Sequence, residues 1–261
     1  MIIEDKDIIF VTDSIFTKWI DYQKDIIKNF FPGSRHVIID GTKNWPNCWF
    51  DWIDIVKNSG CRWYVHIEED CFIEDKQPIL DAIFKMENEK IAVMGTADGY
   101  QPYRGGNPLA MTPFLLIGRV DDLLDIDMDT KKLSFHLNPD GTWSNSLNIV
   151  YKDEYSKGFI YPYEEIGNSA NFNCGDIEPF YVLFWKMHER GKKLHYFYPN
   201  FGENMRSLNP SLEKGKPPLA VHMFYTRIWE SQMDVHGLPN VERYRRLEEY
   251  LLKKHNYINK K

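Results

Sequence analysis

Short apolar runs alternate with amphipathic segments through residues 7–95, and this alternation limits the possible folds more than any other feature. Each apolar run has the length of one buried strand, and the segments between them carry apolar side chains at helical spacing. A strand that runs parallel to its neighbour needs such a crossover helix. The pattern therefore predicts an α/β fold with a mostly parallel sheet flanked by helices. The predicted strands lie at 7–14, 36–41, 62–67 and 91–95, and the predicted helices at 15–30, 49–56 and 79–86.

The second half of the chain has shorter, β-rich segments. Residues 99–118 are rich in glycine and proline, which predicts a loop across the ligand-binding edge of the sheet. The pair Asp140-Gly141 is typical of a tight hairpin turn, here between strands within 133–143. No linker or repeat interrupts the pattern, so we expect a single domain over residues 1–261. Further expected elements are strands at 114–118, 193–198 and 219–225, a helix that begins at 175–179, and an amphipathic helix at 241–256.

Three of the predicted strands end in carboxylates. Asp13 and Asp40 end the first two strands, and Glu68-Glu69-Asp70 follow the third. The carboxyl ends of parallel strands meet at one edge of the sheet, where open α/β sheets bind their ligands, so we expect these side chains along that edge. Adjacent carboxylates repel one another, and a divalent cation held by oxygen ligands relieves the repulsion. The alternative is a solvated acidic turn between a strand and a helix.

The composition excludes several classes of function. A hydrophobic content of 43% with a net charge of -6 indicates a folded globular protein and argues against a broad nucleic-acid-binding surface. The sequence contains no glycine-rich phosphate loop of the G-x-G-x-x-G or G-x-x-x-x-G-K type. Its first residues are charged, no apolar run has the length of a membrane span, and the four cysteines are scattered. We therefore expect a cytoplasmic protein without a transmembrane segment.

The order of these parts resembles the GT-A glycosyltransferases, which use nucleotide sugars. In that family a nucleotide-binding half comes first, and an acidic D-x-D-like motif follows a hydrophobic strand. The matching segment here is the acidic triplet at 68–70, with Glu68 where the first Asp is usual. The resemblance implies a GT-A-like, Rossmann-like catalytic domain, with a nucleotide-sugar-binding half at 1–98 and a β-rich acceptor half at 99–230. It also implies a metal-dependent hexosyl- or pentosyltransferase that moves a sugar from a nucleoside-diphosphate sugar to an acceptor hydroxyl.

The resemblance assigns the acidic triplet to a divalent cation, Mn²⁺ or Mg²⁺. Asp70 is expected to contact the metal, and Glu68 the metal or the donor ribose. Many family members supply a further ligand from a late histidine, for which His222, on a short apolar strand, is the candidate. Mn²⁺ accepts an imidazole as well as oxygen ligands. The alternative for His222 is a hydrogen-bonded core histidine, and His66, in the third strand, is expected to be structural.

The same resemblance assigns residues to donor binding and catalysis. The expected donor is a UDP-sugar, and the acceptor is a glycan, a lipid-linked sugar, a protein or a modified nucleic-acid base. An inverting transferase needs a general base, for which Asp176 is the first candidate and Glu178 the second. The alternative is that both only favour the dipole of the helix they begin. The expected donor-binding residues are Thr12, Asp13, Ser14, Asp40, Lys43, Glu68, Glu69 and Arg104.

Two other functions remain open on the sequence. A nucleotidyltransferase acting on sugar phosphates also needs carboxylate-bound metal at a sheet edge, although the lack of a glycine-rich phosphate loop counts against it. A non-catalytic glycan-binding module would leave the acidic triplet without a chemical role. Hydrolysis of a nucleotide sugar in the presence of Mn²⁺ distinguishes the transferase from both.

Overall fold

The computed structural model describes residues 2–15, 19–43, 48–98, 107, 109–126, 135–137, 143–145, 180–201, 207–223 and 249. A short 3-10 turn at Asp5–Asp7 precedes the first strand. In chain order the elements are β1 (Ile8–Ser14), α1 (Trp19–Phe30), β2 (Arg35–Asp40), α2 (Cys48–Lys57), β3 (Trp63–Ile67), β4 (Cys71–Ile73), α3 (Lys76–Glu89), β5 (Ile91–Ala97), β6 (Met111–Arg119), α4 (Val120–Leu124), β7 (Phe135–Leu137), β8 (Trp143–Asn145), α5 (Tyr181–Glu189), β9 (Lys193–Tyr196), β10 (Tyr198–Phe201), β11 (Leu208–Ser211) and β12 (Ala220–His222).

The central sheet has six strands in the order β2-β1-β3-β6-β5-β9. β1 pairs in parallel with both β2 and β3, and β5 pairs in parallel with β9. β6 lies between β3 and β5 and is antiparallel to both. The predicted α/β fold with a mostly parallel sheet flanked by helices is thus confirmed. The carboxyl ends of β1, β2, β3 and β5 lie at one edge, so the acidic strand ends meet on the same side of the sheet.

Two hydrophobic cores cover the two faces of the central sheet, because side chains alternate along each strand. In β1, Ile9 and Val11 pack in a core that includes residues of α2, α4 and α5. Ile8 and Phe10 pack in the other core, which includes residues of α1, α3 and the second sheet. β3 is buried along its whole length. Such continuous burial is the expected pattern for strands covered on both faces.

The second sheet is antiparallel, with the order β10-β11-β12-β4. β12 pairs with β4 and places His222 opposite Cys71. This pairing joins the strand that follows the acidic triplet to a strand from the far end of the chain. The sequence pattern does not predict β4 and β11, because strands of three and four residues are too short for an alternating pattern to stand out.

The single strand predicted at 193–198 is wrong, since the segment contributes to two sheets. β9 belongs to the central sheet, whereas β10 begins at Tyr198 in the second sheet. The chain changes sheet at Phe197, whose N–H donates to the carbonyl of Gly95 at 2.8 Å and whose side chain is fully buried. One continuous aromatic run therefore serves both sheets.

The remaining expectations concern the hairpin and the later helices. β7 and β8 pair antiparallel, which confirms the predicted hairpin. The predicted helix start at 175–179 lies outside the described residues, as does the tail helix at 241–256 apart from Glu249, which is helical. Among the residues that the structure describes, no helix combines the length and apolar character needed to cross a membrane.

Candidate metal centre

The acidic triplet forms the turn between β3 and β4. The N–H of Cys71 donates to the carbonyl of Glu68 at 3.0 Å and closes this turn. The N–H of Glu68 donates to the carbonyl of Phe114, also at 3.0 Å. On the other side, the N–H of Met223 donates to the carbonyl of Asp70 at 3.0 Å. The turn is therefore tied to β6 and to the chain just after β12.

Glu68 and Asp70 converge with His222. Each of the three offers one ligand atom, and these atoms lie within 4.8 Å of one another. The Nε2 atom of His222 is 3.4 Å from Asp70 Oδ1 and 3.7 Å from Glu68 Oε2. Asp70 and His222 are each 7% exposed, and Glu68 is half-buried. The Phe114 ring stacks on the imidazole, with centroids 4.2 Å apart and 2° between the planes, which limits the directions in which Nε2 can point.

This set of side chains fits a divalent cation. Carboxylate oxygens suit Mg²⁺ and Mn²⁺, and Mn²⁺ also takes an imidazole nitrogen. A metal–oxygen distance of about 2.1 Å places neighbouring ligands of an octahedral site about 3 Å apart. The distances of 3.4 Å and 3.7 Å from His222 Nε2 are near that value. The structure thus brings together the three residues that the resemblance implies as metal ligands.

Glu69 points to a different partner, at the end of β1. The Ser14 hydroxyl donates to Glu69 Oε2 at 2.6 Å, and both residues are buried. The middle carboxylate of the triplet therefore ties the end of β1 to the turn after β3. Two predicted donor-binding residues are in contact here, and their role towards a donor remains a prediction.

His66 lies within β3 and is fully buried. Its Nδ1 is 2.7 Å from the carbonyl oxygen of Pro113, and its Nε2 is 2.9 Å from Asp13 Oδ2. The ring of Trp52 packs with its centroid 5.0 Å from that of the imidazole. Burial lowers the pKa of His66, but the hydrogen bond and charge of Asp13, together with the Pro113 carbonyl and the charge of Glu68, outweigh burial, so the pKa is raised. His66 and Asp13 form a buried ion pair, in agreement with the structural role expected for His66.

Asp40 and Lys43 pair with each other just after β2. Asp40 Oδ2 lies 2.8 Å from Lys43 Nζ. Asp40 Oδ1 accepts from the N–H of Thr42 at 3.1 Å and from its hydroxyl at 2.5 Å. The hydrogen bonds from Lys43 and Thr42 lower the pKa of Asp40. The carboxylate is therefore ionised and faces the solvent side of the sheet edge, next to a cation.

Thr12 faces the interior of the fold, where it meets a residue that the sequence pattern does not single out. Thr12 is fully buried, and its hydroxyl donates to Gln23 Oε1 at 2.7 Å. Gln23 lies in α1 and is also fully buried. A signal was present in the sequence, because Gln23 occupies the apolar face of this helix, and a buried polar side chain needs hydrogen-bond partners.

Asp98 is a further buried carboxylate at this edge, directly after β5, and is 1% exposed. The hydroxyl of Tyr181 donates to Asp98 Oδ2 at 2.5 Å, and the N–H of Asn107 donates to the Tyr181 oxygen at 3.3 Å. Asn107 Oδ1 accepts from the N–H groups of Leu109 and Ala110, each at 3.0 Å. These bonds anchor both ends of the segment between β5 and β6 against α5.

Three predicted site residues lie outside the described residues. They are Arg104 for the donor and Asp176 and Glu178 for the general base. Their roles remain predictions.

The fold and the site together define an α/β protein with a candidate carboxylate–histidine metal centre at the carboxyl edge of its sheet. No family model matches the chain, and no curated protein matches it. Solved structures match at low identity. A glycosyltransferase involved in the glycosylation of the major capsid of PBCV-1 is 11% identical, with a TM-score of 0.34, over 45% of this chain and 62% of its own. The chain thus spans less than two thirds of that structure.

Two further solved structures cover more of their own length. A protein from STIV is 11% identical over 56% of this chain and 96% of its own, with a TM-score of 0.37. A cytidylyltransferase from Leptospira borgpetersenii serovar Hardjo-bovis is 10% identical over 93% of both chains, with a TM-score of 0.39.

Proposed function

We propose that this protein is a metal-dependent glycosyltransferase that moves a sugar from a nucleoside-diphosphate sugar, expected to be a UDP-sugar, to an acceptor hydroxyl. The observation that carries the proposal is the convergence of Glu68, Asp70 and His222 at the carboxyl edge of a mostly parallel sheet. Open α/β sheets bind their ligands at this edge.

The reaction breaks the bond between the anomeric carbon and the diphosphate, and negative charge develops on the leaving group. Glu68, Asp70 and His222 would hold a divalent cation, which when bound would supply Lewis-acid stabilisation of that charge. Asp70 and His222 are held in place before any donor arrives, by the Met223 hydrogen bond and the stacked Phe114 ring. Groups that are already oriented lose little free energy to reorganisation during the reaction.

The donor nucleoside is proposed to lie across the ends of β1 and β2. Neighbouring strands lie about 4.8 Å apart, so the end of β2 is about 10 Å from the end of β3. This spacing leaves room for a nucleoside near Asp13, Ser14 and Asp40 while its diphosphate is at the metal centre. Asp40 accepts a hydrogen bond from the base in this proposal, and Lys43 and Arg104 contact phosphate.

Thr12 and Glu69 contribute to donor binding from beneath these strand ends. Thr12 bonds Gln23, and Glu69 accepts from the Ser14 hydroxyl. Both therefore keep the end of β1 in register with the acidic turn.

We assign the general base of an inverting transfer to Asp176, with Glu178 as the second choice. The base takes the proton of the acceptor hydroxyl as that oxygen attacks the anomeric carbon. A retaining enzyme needs no such base. The acceptor classes are those that the resemblance implies: a glycan, a lipid-linked sugar, a protein or a modified nucleic-acid base.

Donor hydrolysis tests the proposal without knowledge of the acceptor. The protein is incubated with a panel of nucleotide sugars, with and without Mn²⁺, and the released nucleoside diphosphate is quantified by chromatography. We expect one nucleotide sugar to be hydrolysed slowly and only with the metal, and to raise the melting temperature because ligand binding stabilises the folded state. Asp70→Asn is expected to abolish the hydrolysis.

A matched variant and the identity of the product complete the design. Asp121 is an exposed carboxylate in α4, which follows β6 at the opposite edge of the sheet, so Asp121→Asn should leave hydrolysis unchanged. Release of pyrophosphate from a nucleoside triphosphate and a sugar phosphate would identify a nucleotidyltransferase instead. A melting temperature that no nucleotide sugar and no Mn²⁺ or Mg²⁺ shifts would contradict a metal-dependent transferase.

A further inference from the structure

The side chain of Gln23, in α1, holds the acidic turn from beneath. This helix packs an apolar face that includes Trp19, Ile26 and Ile27 into the core, and Gln23 lies on that face without exposure to solvent. A leucine or methionine would fill the same space, so packing of the helix alone does not account for an amide at this position.

The hydrogen bonds of Gln23 are fixed in direction by the chemistry of its partners. Its Nε2 lies 2.5 Å from the carbonyl oxygen of Glu68 and 2.9 Å from that of Cys71. Carbonyl oxygens only accept, so both amide hydrogens are donated to the acidic turn. The opposite end of the amide, Oε1, accepts from the Thr12 hydroxyl at 2.7 Å.

The chain of hydrogen bonds continues to β2. His36 Nε2 lies 2.9 Å from the Thr12 hydroxyl oxygen. Because the Thr12 hydroxyl already donates its hydrogen to Gln23, His36 is the donor in this contact and carries a hydrogen on Nε2. Three strands and α1 are thus linked through a buried path that runs from His36 through Thr12 and Gln23 to the acidic turn.

The two carbonyls that Gln23 binds lie on either side of Asp70 in the chain. The Glu68 carbonyl lies two residues before Asp70, and the Cys71 carbonyl belongs to the residue that follows Asp70. Cys71 is also the residue opposite His222 in the pairing of β4 with β12. Gln23 therefore restrains the peptide units that set the distances of Glu68 and Asp70 from the imidazole.

We propose that Gln23 is a positioning residue for the metal centre, which it preorganises through the Glu68 and Cys71 carbonyls. The inference rests on the proposed metal site but concerns a residue that does not touch the cation. Partners outside the ligand set that orient metal ligands typically change metal affinity by about 10- to 100-fold when removed.

The test compares Mn²⁺ affinity with folding stability in the same variants. Gln23→Met keeps the length and volume of the side chain and removes all three hydrogen bonds. Ile26→Ala removes buried apolar volume from the same face of the same helix, and neither side chain has a hydrogen-bond donor for the two carbonyls. Mn²⁺ dissociation constants are measured by electron paramagnetic resonance of the free ion, and melting temperatures by circular dichroism, on the full chain.

We expect Gln23→Met to weaken Mn²⁺ binding about 10-fold or more, while Ile26→Ala lowers the melting temperature at least as much and leaves the affinity within about twofold of wild type. Unchanged affinity in Gln23→Met would overturn the proposal, as would an equal loss in Ile26→Ala. If Gln23→Met does not fold, Thr12→Val takes its place in the test, because it removes the hydrogen bond that orients the Gln23 amide. Thr12→Val must then weaken Mn²⁺ binding, by a smaller factor than expected for Gln23→Met. Unchanged affinity in Thr12→Val overturns the proposal. If the wild-type chain binds no Mn²⁺, the proposed metal centre is wrong. This result differs from wild-type binding that Gln23→Met leaves unchanged, which contradicts only the role of Gln23.

Discussion

Two histidines, His66 and His222, lie beside carboxylates at the carboxyl edge of the central sheet. Their surroundings differ: those of His66 fit a structural role, and those of His222 fit the proposed metal ligand. His66 is fully buried, with its two ring nitrogens 2.7 Å and 2.9 Å from Pro113 and Asp13 oxygens, both at hydrogen-bond length. His222 points Nε2 at two carboxylates, at 3.4 Å and 3.7 Å. Those separations are long for hydrogen bonds and near the distance between ligands that share a cation.

The comparison shows that the residue types do not by themselves define a metal site. An imidazole with both nitrogens at hydrogen-bond length from their partners, one of them a carboxylate, makes a core ion pair, as at His66 and Asp13. Two carboxylates that converge on one nitrogen make a place for a cation, as at Glu68 and Asp70. Replacing each histidine in turn by leucine should therefore give opposite patterns. The change at His222 should reduce metal affinity, and the change at His66 should reduce stability.

The largest effect is expected for His222→Leu. We expect Mn²⁺ affinity, measured by isothermal titration calorimetry, to fall about 100-fold or more, because removal of a ligand costs at least as much as removal of a residue that orients one. The free energy of unfolding without metal should change by less than about 1 kcal/mol, because leucine still covers Phe114. An unchanged affinity would show that His222 is a core histidine.

His66→Leu should show the opposite pattern. It leaves the Asp13 carboxylate, which is 11% exposed, without its cationic partner. Breaking a buried ion pair in this way costs about 3 kcal/mol, which urea unfolding followed by tryptophan fluorescence measures. The double variant His66→Leu/Asp13→Asn should recover part of that loss, since it also removes the carboxylate charge that His66→Leu leaves without its partner. If the single variant is as stable as wild type, the two groups do not form an ion pair.

A third histidine gives a smaller effect that depends on pH. Burial, followed by the charge of Lys24, lowers the pKa of His36 to about 4 in the folded chain. The unfolded chain takes up this proton near pH 6.5. The His36 contribution to stability is therefore lost as the pH falls from about 6.5 to about 4. His66 behaves in the reverse way. Its pKa is raised in the folded chain, so its contribution is lost as the pH rises through that folded pKa.

His36→Gln isolates this contribution, because the amide keeps an N–H donor near Thr12 and does not titrate. Between pH 7 and pH 5 the wild type should lose about 2 kcal/mol more unfolding free energy than the variant, measured by urea unfolding at each pH. Equal losses would place the His36 pKa near its ordinary value.

The sequence pattern predicts the parts of this site that depend on the order of strands and helices along the chain. The alternation of strands and helices places Asp13, Asp40 and the acidic triplet at one edge, because parallel strands carry their carboxyl ends to the same side. The pairing of β4 with β12 has no local signal, since two short strands far apart in the chain meet only in the folded structure. For this reason the distance from His222 to Asp70 cannot be predicted from the sequence, although both residues are singled out.

The hydrogen bonds that hold the acidic turn are predictable only in part, because they join elements that are far apart in the chain. The position of Gln23 on the apolar face of α1 signals a buried hydrogen-bonded group, but its partners lie on other elements. The antiparallel direction of β6 has no signal either, because a strand buried on both faces reads the same in both directions.

The binding of Mn²⁺ to the wild-type chain tests the central claim most directly. The free ion is followed by electron paramagnetic resonance while metal is titrated into wild type, Asp70→Asn and Asp121→Asn. A metal centre at Glu68, Asp70 and His222 predicts one tightly bound Mn²⁺ in wild type and in Asp121→Asn, and its loss in Asp70→Asn. Equal binding by all three proteins, or none by wild type, would contradict the metal centre.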